Sequence, residues 1–197
     1  KFCPGCPEHA ALYGLKMALI KEHLWDKVVY GGDTGCHEMA AFEPFEMAHC
    51  GVSMAAGLTL VSGIQKAGAT DNKVIAYIGD GTFFHGGLPA LANAVYNQVD
   101  LLLVVMDNRT MAETGHQPHP GAFGVTATGR ETKVIEIADV ARSMQCDFVT
   151  IANAFDFEEC RDAFREGLRT KGVSVVIARG TCALLVERQV KQGVTKL

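Results

Sequence analysis

Two stretches decide how this chain folds: Val74-Ile75-Ala76-Tyr77-Ile78-Gly79-Asp80-Gly81 and Leu101-Leu102-Leu103-Val104-Val105-Met106-Asp107-Asn108. Each is a short apolar run that breaks abruptly into polar residues, which predicts strands over 73–78 and 101–106. An unbroken run such as 101–106 belongs to a strand covered on both faces, as in a parallel sheet. Between the two, residues 88–97 have the spacing of a helix, with Pro89 tolerated in its first turn. A strand–helix–strand crossover brings the ends of neighbouring parallel strands together. Asp80 and Asn108, with 27 residues between them, are therefore expected side by side.

The pattern continues outward in both directions. Residues 8–24 read as a helix with Leu12, Leu15, Leu19 and Ile20 on one face, and 27–30 as a short strand ended by Gly31-Gly32-Asp33. Residues 51–67, rich in Ala, Leu and Gly, predict a buried helix lying close against something flat. After the second key strand comes a long polar loop, 107–131, then a helix (137–144), a strand (147–151), a helix (157–169) and a last strand (173–178). The fold class is thus α/β, an open, mostly parallel sheet with helices on both faces, in one domain over 1–186. Residues 187–197 read as a polar tail. In such sheets ligands bind at the carboxyl ends of the strands. Here those ends carry Gly-Asp-Thr-Gly-Cys (32–36), Gly-Asp-Gly-Thr (79–82), Asp-Asn-Arg-Thr (107–110) and Arg-Gly-Thr-Cys (179–182).

Composition narrows the function. Hydrophobic residues make up 48% of the 197 and charged residues 20%, enough for a full core and incompatible with disorder. The net charge of −4, with no run of Lys or Arg, argues against nucleic acid. The longest apolar run, 101–106, is far short of the ~20 residues of a membrane span. Seven cysteines, an odd number that includes Cys3-Pro4-Gly5-Cys6, point to a reducing compartment, a cytoplasmic location, and a metal or redox role. The chain starts with Lys, not Met, so an upstream segment is expected.

Asp80 and Asn108 offer two oxygen ligands to one hard cation, and Mg²⁺ held in this way completes its shell with a diphosphate. Gly81 lets backbone approach the phosphate, a helix starting near Gly87 would point its positive end at it, and the Thr110 carbonyl is placed as a third protein ligand. Gly-Asp-Gly by itself is more often an ordinary turn. The strand before it and the Asp-Asn at the next strand end reverse that reading. In Cys3 and Cys6 two thiolates can grip one corner of a metal site, while Cys36 and Cys182 follow the first and last strands on the same rim. Zinc, a redox pair and a cluster all remain open on spacing alone.

Gly79-Asp80-Gly81 through Asp107-Asn108 resembles the thiamine diphosphate motif, GDG followed by about thirty residues and Asn. Gly79-Asp80-Gly81-Thr82-Phe83-Phe84-His85, Asp107-Asn108-Arg109-Thr110 and Thr114-Gly115-His116-Gln117-Pro118-His119-Pro120-Gly121 are similar to indolepyruvate:ferredoxin oxidoreductase, within the wider 2-oxoacid:ferredoxin oxidoreductases. The likeness runs from Cys3 to about Leu185. It implies thiamine diphosphate in contact with Gly35, Cys36, Gly79, Asp80, Gly81, Thr82, Asn108 and Thr110, and Mg²⁺ on Asp80, Asn108 and Thr110. It also implies a 4Fe–4S cluster on Cys3, Cys6, Cys36 and Cys182, which would accept electrons one at a time. Cys50, Cys146 and Cys160 fit no ligand pattern and read as buried thiols.

The implied reaction is oxidative decarboxylation of a 2-oxoacid, with CoA or water taking the acyl group and ferredoxin or another carrier the electrons. Phe83-Phe84 and the loop 116–121 favour an aryl or bulky substrate. His49, His85 and His116 are the acid–base candidates. Arg109 either binds the anionic substrate or pairs with Glu113, whereas Glu38, Glu43 and Glu46 read as a solvated face. Enzymes of this kind also need a pyrimidine-binding domain, which this single domain lacks, so another subunit or an upstream part must supply it. With no CxxCxxCxxxCP run present, onward electron transfer falls to ferredoxin-like partner chains in a hetero-oligomer. Two rival readings are a non-oxidative thiamine decarboxylase or carboligase, and a scaffold subunit with a structural zinc.

Overall fold

The computed structural model describes residues 1–193. Five parallel strands form one sheet in the order β1-β2-β3-β5-β4: β1 (Tyr30–Gly31), β2 (Val74–Gly79), β3 (Leu101–Asp107), β4 (Phe148–Asn153) and β5 (Val173–Arg179). Strand β3 sits at the centre with every residue buried, as its unbroken apolar run requires. Successive side chains on a strand point to opposite faces. Leu102, Val104 and Met106 accordingly join one core with Ile75 and Tyr77, while Leu101, Leu103 and Val105 join a second with Val74, Ala76 and Ile78.

Helices α1 (Pro7–Lys21) and α6 (Phe157–Arg169) cover the first face. The second is covered by α2 (Ala56–Lys66), α4 (Leu88–Tyr96) and α5 (Ile137–Ser143). In α1, Leu12, Leu15 and Leu19 are fully buried, but Ile20 is 43% exposed, because one residue beyond Leu19 the helix has turned about 100° away from the sheet. No helix among the described residues is long and apolar enough to cross a membrane.

Three further expectations change. Helix α2 starts at Ala56, not at residue 51, because Ala55 takes a left-handed conformation (φ 66°) and gives its N–H to Asp33 Oδ1 at 2.7 Å. The helical run after β2 starts at Asp80 itself, not near Gly87. A single turn, α3 (Asp80–Thr82), passes into a π-helical stretch (Phe83–Gly87) and then into α4. The polar segment from 187 is helical at first: α7 (Ala183–Lys191) caps the end of β5, with Leu185 buried and a Lys191–Glu187 ion pair on its exposed side. The rest of that expected tail, 194–197, lies outside the described residues.

Register decides where the chemistry falls. Gly79 on β2 is level with Met106 on β3, and Asp107 is level with Arg179 on β5. Asp80, Asn108 and the segment leading to Cys182 therefore leave the same edge of the sheet. The Cys182 N–H closes that edge by donating to the Asn108 carbonyl at 3.0 Å.

Candidate active site

The residues expected to hold the cofactor, Gly35, Cys36, Gly79, Asp80, Gly81, Thr82, Asn108 and Thr110, all line one cleft at this edge. Asp80 is buried, and its Oδ1 accepts the Gly81 N–H at 2.7 Å. Its Oδ2 is sealed from solvent without an aligned hydrogen-bond donor. His119 Nε2, itself buried, lies 3.0 Å from it. Burial raises the Asp80 carboxyl above its ordinary range, and His119 offsets that only in part. Asn108 makes an Asx turn, its Oδ1 accepting the Thr110 N–H at 3.1 Å, while Arg109 between them adopts φ 66°. A Cβ at Gly81 would come within 2.5 Å of Met111 Cγ, so any larger residue there would have to displace the Met111 side chain from the cleft wall.

A carboxylate with an unsatisfied buried oxygen and an amide oxygen at the adjacent strand end form a hard donor set, which fits a cation that keeps further positions for phosphate. Two further side chains, Glu8 and His37, line the cleft without any signal in the sequence. Glu8, only 3% exposed, accepts from Asn108 Nδ2 at 2.5 Å. His37, 2% exposed, has Nδ1 3.4 Å from Glu8 Oε2 and Nε2 3.9 Å from Asp33 Oδ2. These are ion-pair distances without hydrogen-bond alignment. Burial works against the imidazolium, but the two carboxylates outweigh it and lift His37 to about 10. A lone Glu in a first helical turn normally reads as dipole compensation in water, so nothing in the sequence marked Glu8 as buried.

A second cavity lies beside the first and is lined by Cys3, Cys6, Cys36 and Cys182, together with His116. The two cavities share a wall of Glu8, Cys36, Asn108 and Ala112. All four thiols are free. Burial pushes the Cys6 thiol up to about 11 and Cys36 to about 12. No three His, Cys, Asp or Glu side chains among the described residues converge tightly enough to hold one metal ion. A tetrahedral zinc would require thiolates roughly 3.8 Å apart. Four thiols spread around a cavity suit a larger inorganic core.

The remaining candidates separate. His49 is exposed in a neighbouring cleft with Thr34, Cys50 and Tyr77, its Nδ1 accepting the Tyr30 N–H at 3.0 Å. His116 faces the cysteine cavity, and its Nδ1 is buried without a partner. His85 stands exposed on the π-helical stretch and is not among the residues lining the thiol or cation cavities. Arg109 pairs with neither Glu113 nor an open site: its Nη1 lies 3.3 Å from Asp107 Oδ2, which also takes Arg179 Nε at 2.6 Å. Cys160 is fully buried as expected, whereas Cys50 and Cys146 are half-buried. Glu38, Glu43 and Glu46 face solvent.

A parallel sheet with Gly-Asp-Gly and Asn at adjacent carboxyl ends defines a thiamine diphosphate-binding domain. Residues 33–178 match the family described as thiamine pyrophosphate enzyme, C-terminal TPP binding domain, and the chain belongs to that family. More narrowly, it is 39% identical over 186 residues to the indolepyruvate oxidoreductase subunit IorA of Archaeoglobus fulgidus, covering 94% of this chain and 29% of that one. It is 27% identical over 181 residues to the 2-oxoglutarate synthase subunit KorB of the same organism, covering 89% of this chain and 67% of that one. The chain thus spans 29% of the length of the indolepyruvate oxidoreductase subunits it matches. The 2-oxoglutarate:ferredoxin oxidoreductase of Magnetococcus marinus shares the fold, with a TM-score of 0.83 at 20% identity over 92% of this chain and 64% of that one.

Proposed function

We propose that this chain is the diphosphate-binding part of a thiamine diphosphate-dependent 2-oxoacid:acceptor oxidoreductase of the indolepyruvate type. The observation that carries the reading is the shared wall: a cleft with a hard oxygen donor set stands against a cavity with four free cysteines, and Glu8, Cys36, Asn108 and Ala112 belong to both. Asp80, Asn108 and Thr110 would hold Mg²⁺ and with it the diphosphate, and Gly35, Cys36, Gly79, Gly81 and Thr82 would border the cofactor. Cys3, Cys6, Cys36 and Cys182 would hold a 4Fe–4S cluster. Once bound, the thiamine supplies the carbon nucleophile for decarboxylation, and the cluster next to it supplies a one-electron acceptor.

The chain's own residues then have definite tasks. Because His49 Nδ1 accepts from Tyr30, the neutral ring carries its proton on Nε2, where it can donate to the carboxylate or carbonyl of a 2-oxoacid. His116 borders the cysteine cavity. An aryl 2-oxoacid, an acyl acceptor such as CoA, a pyrimidine-binding domain and ferredoxin-like electron carriers complete the reaction in a hetero-oligomer.

The test is anaerobic purification with any co-purifying chains, followed by iron, sulfide and zinc analysis and thiamine diphosphate binding. Four irons and four sulfides attributable to this chain, with their visible absorption lost in Cys36→Ser, are the expected result. One zinc and no iron would overturn the redox reading. Cofactor binding with neither metal would instead favour a non-oxidative decarboxylase.

A further inference from the structure

Glu8 enters helix α1 two residues after Cys6 and is buried in the wall common to both cavities. Its contact with Asn108 fixes more than a distance. The Asn108 amide lies between two partners of single polarity: a carboxylate that only accepts, at 2.5 Å from Nδ2, and the Thr110 N–H that only donates, at 3.1 Å from Oδ1. Flipping the amide would break both bonds, so Oδ1 is held in the orientation that leaves its second lone pair for a cation.

The same asparagine is tied to every segment that brings a cysteine to the neighbouring cavity. Glu8 belongs to the segment of Cys3 and Cys6. His37, against Glu8 Oε2 at 3.4 Å, follows Cys36 directly. The Cys182 N–H holds the Asn108 carbonyl at 3.0 Å. A buried carboxylate is costly unless it is paired and hydrogen-bonded, and Glu8 finds its partners in Asn108 and His37, one from each of two other segments.

We propose that Glu8 is a positioning residue that couples the two cavities: it sets the Asn108 amide for the cation, and it does so fully only when the cysteine cavity is filled and its three segments are ordered. The proposal rests on the functional reading given above. Filling the cysteine cavity then tightens Mg–thiamine diphosphate binding, and by linkage the cofactor protects the filled cavity by the same factor.

The experiment uses the anaerobic holoprotein with its co-purifying chains and titrates Mg–thiamine diphosphate calorimetrically into iron-loaded and iron-stripped samples. Visible absorption reports the cluster, and thermal unfolding without cofactor reports the fold. Iron-loaded protein is expected to bind about 10- to 100-fold more tightly than stripped protein. Glu8→Ala should bind weakly in both states. Glu8→Gln, whose amide oxygen still accepts from Asn108 Nδ2, should recover most of the affinity. Glu8→Asp keeps the charge but falls short of Asn108 and should behave like Glu8→Ala, which keeps the test decisive if the alanine variant fails to fold. Equal affinity of loaded and stripped wild-type protein, or wild-type affinity in Glu8→Asp, would overturn the proposal. Absence of cofactor binding or of iron in the wild type would overturn the functional reading instead.

Discussion

His119 Nε2 stands 3.0 Å from Asp80 Oδ2 with both side chains sealed from solvent, yet the pair is not aligned as a hydrogen bond. His119 Nδ1 accepts the Gly121 N–H at 3.2 Å, which holds the ring in place as the roof over Asp80. The carboxylate is therefore kept in a position that suits a cation better than it suits the cofactor-free fold.

Asp80→Asn should accordingly separate stability from binding. Removing a buried, poorly satisfied charge is expected to leave the cofactor-free melting temperature unchanged or higher. Wild-type protein at a hundredfold excess over Kd should gain about 2.7 kcal/mol from Mg–thiamine diphosphate, and the variant nothing. Thermal melts with and without the cofactor make the comparison.

Helix α2 offers a matched pair of glycines. A Cβ at Gly57 would lie 2.0 Å from the Gly32 carbonyl oxygen and 2.7 Å from Gly31 C, both backbone atoms of the segment that leads to Asp33. Gly57→Ala is expected to cost about 3 kcal/mol or more, because neither side can yield. A Cβ at Gly63 meets nothing within 4 Å, and Gly63→Ala should stabilise the helix by roughly 0.5–1 kcal/mol. Urea unfolding of the two variants tests the contrast.

At the opposite edge of the sheet, Asp100 accepts from Lys73 Nζ at 2.6 Å, Lys171 Nζ at 2.8 Å and the Gly172 N–H at 3.1 Å. Burial raises its carboxyl, but the two lysines and the amide outweigh it and hold it below its usual range. The stability it contributes is present above the unfolded carboxylate pKa and is lost as pH falls through the lower folded value. Lys73 shifts downward because burial dominates there, so the lysine is strained without its partner. Asp100→Asn should cost about 3 kcal/mol at neutral pH. It should also flatten the acid limb of stability measured by urea unfolding between neutral pH and the acid range.

The thiols supply a second pH dependence, in metal binding and at higher pH. With Cys6 near 11 and Cys36 near 12 through burial, both are protonated at neutral pH in metal-free protein. Metal uptake must expel those protons, so apparent affinity should rise with pH. A timed alkylation followed by mass spectrometry should label the exposed Cys3 well before Cys36 in metal-free protein, and none of the four after loading. Equal rates at Cys3 and Cys36 would contradict the burial of the second.

The alternation of apolar runs and helical spacings was enough to read the sheet, both key strands and the adjacency of Asp80 and Asn108, because parallel strands joined by a right-handed crossover have few arrangements open to them. The four cysteines were also legible as a candidate set, since Cys3 and Cys6 form a local pair while Cys36 and Cys182 follow strands on the same rim. Local backbone detail was less so. Ala55 departs from the helix because a side chain 22 residues away takes its N–H, and Arg109 turns to Asp107 because that carboxylate is buried between two guanidinium groups.

By itself, then, the sequence determined the layer architecture, the edge that carries the chemistry and the thiamine diphosphate family, since periodicity and short motifs follow from local chain geometry. Only the tertiary structure decided that Glu8, His37 and His119 are buried beside Asp80 and Asn108, that His85 lines neither cavity and that His116 lines the one with the cysteines. Burial of a charged side chain depends on which distant segments close over it, and the partners of Glu8 are 29 and 100 residues away along the chain.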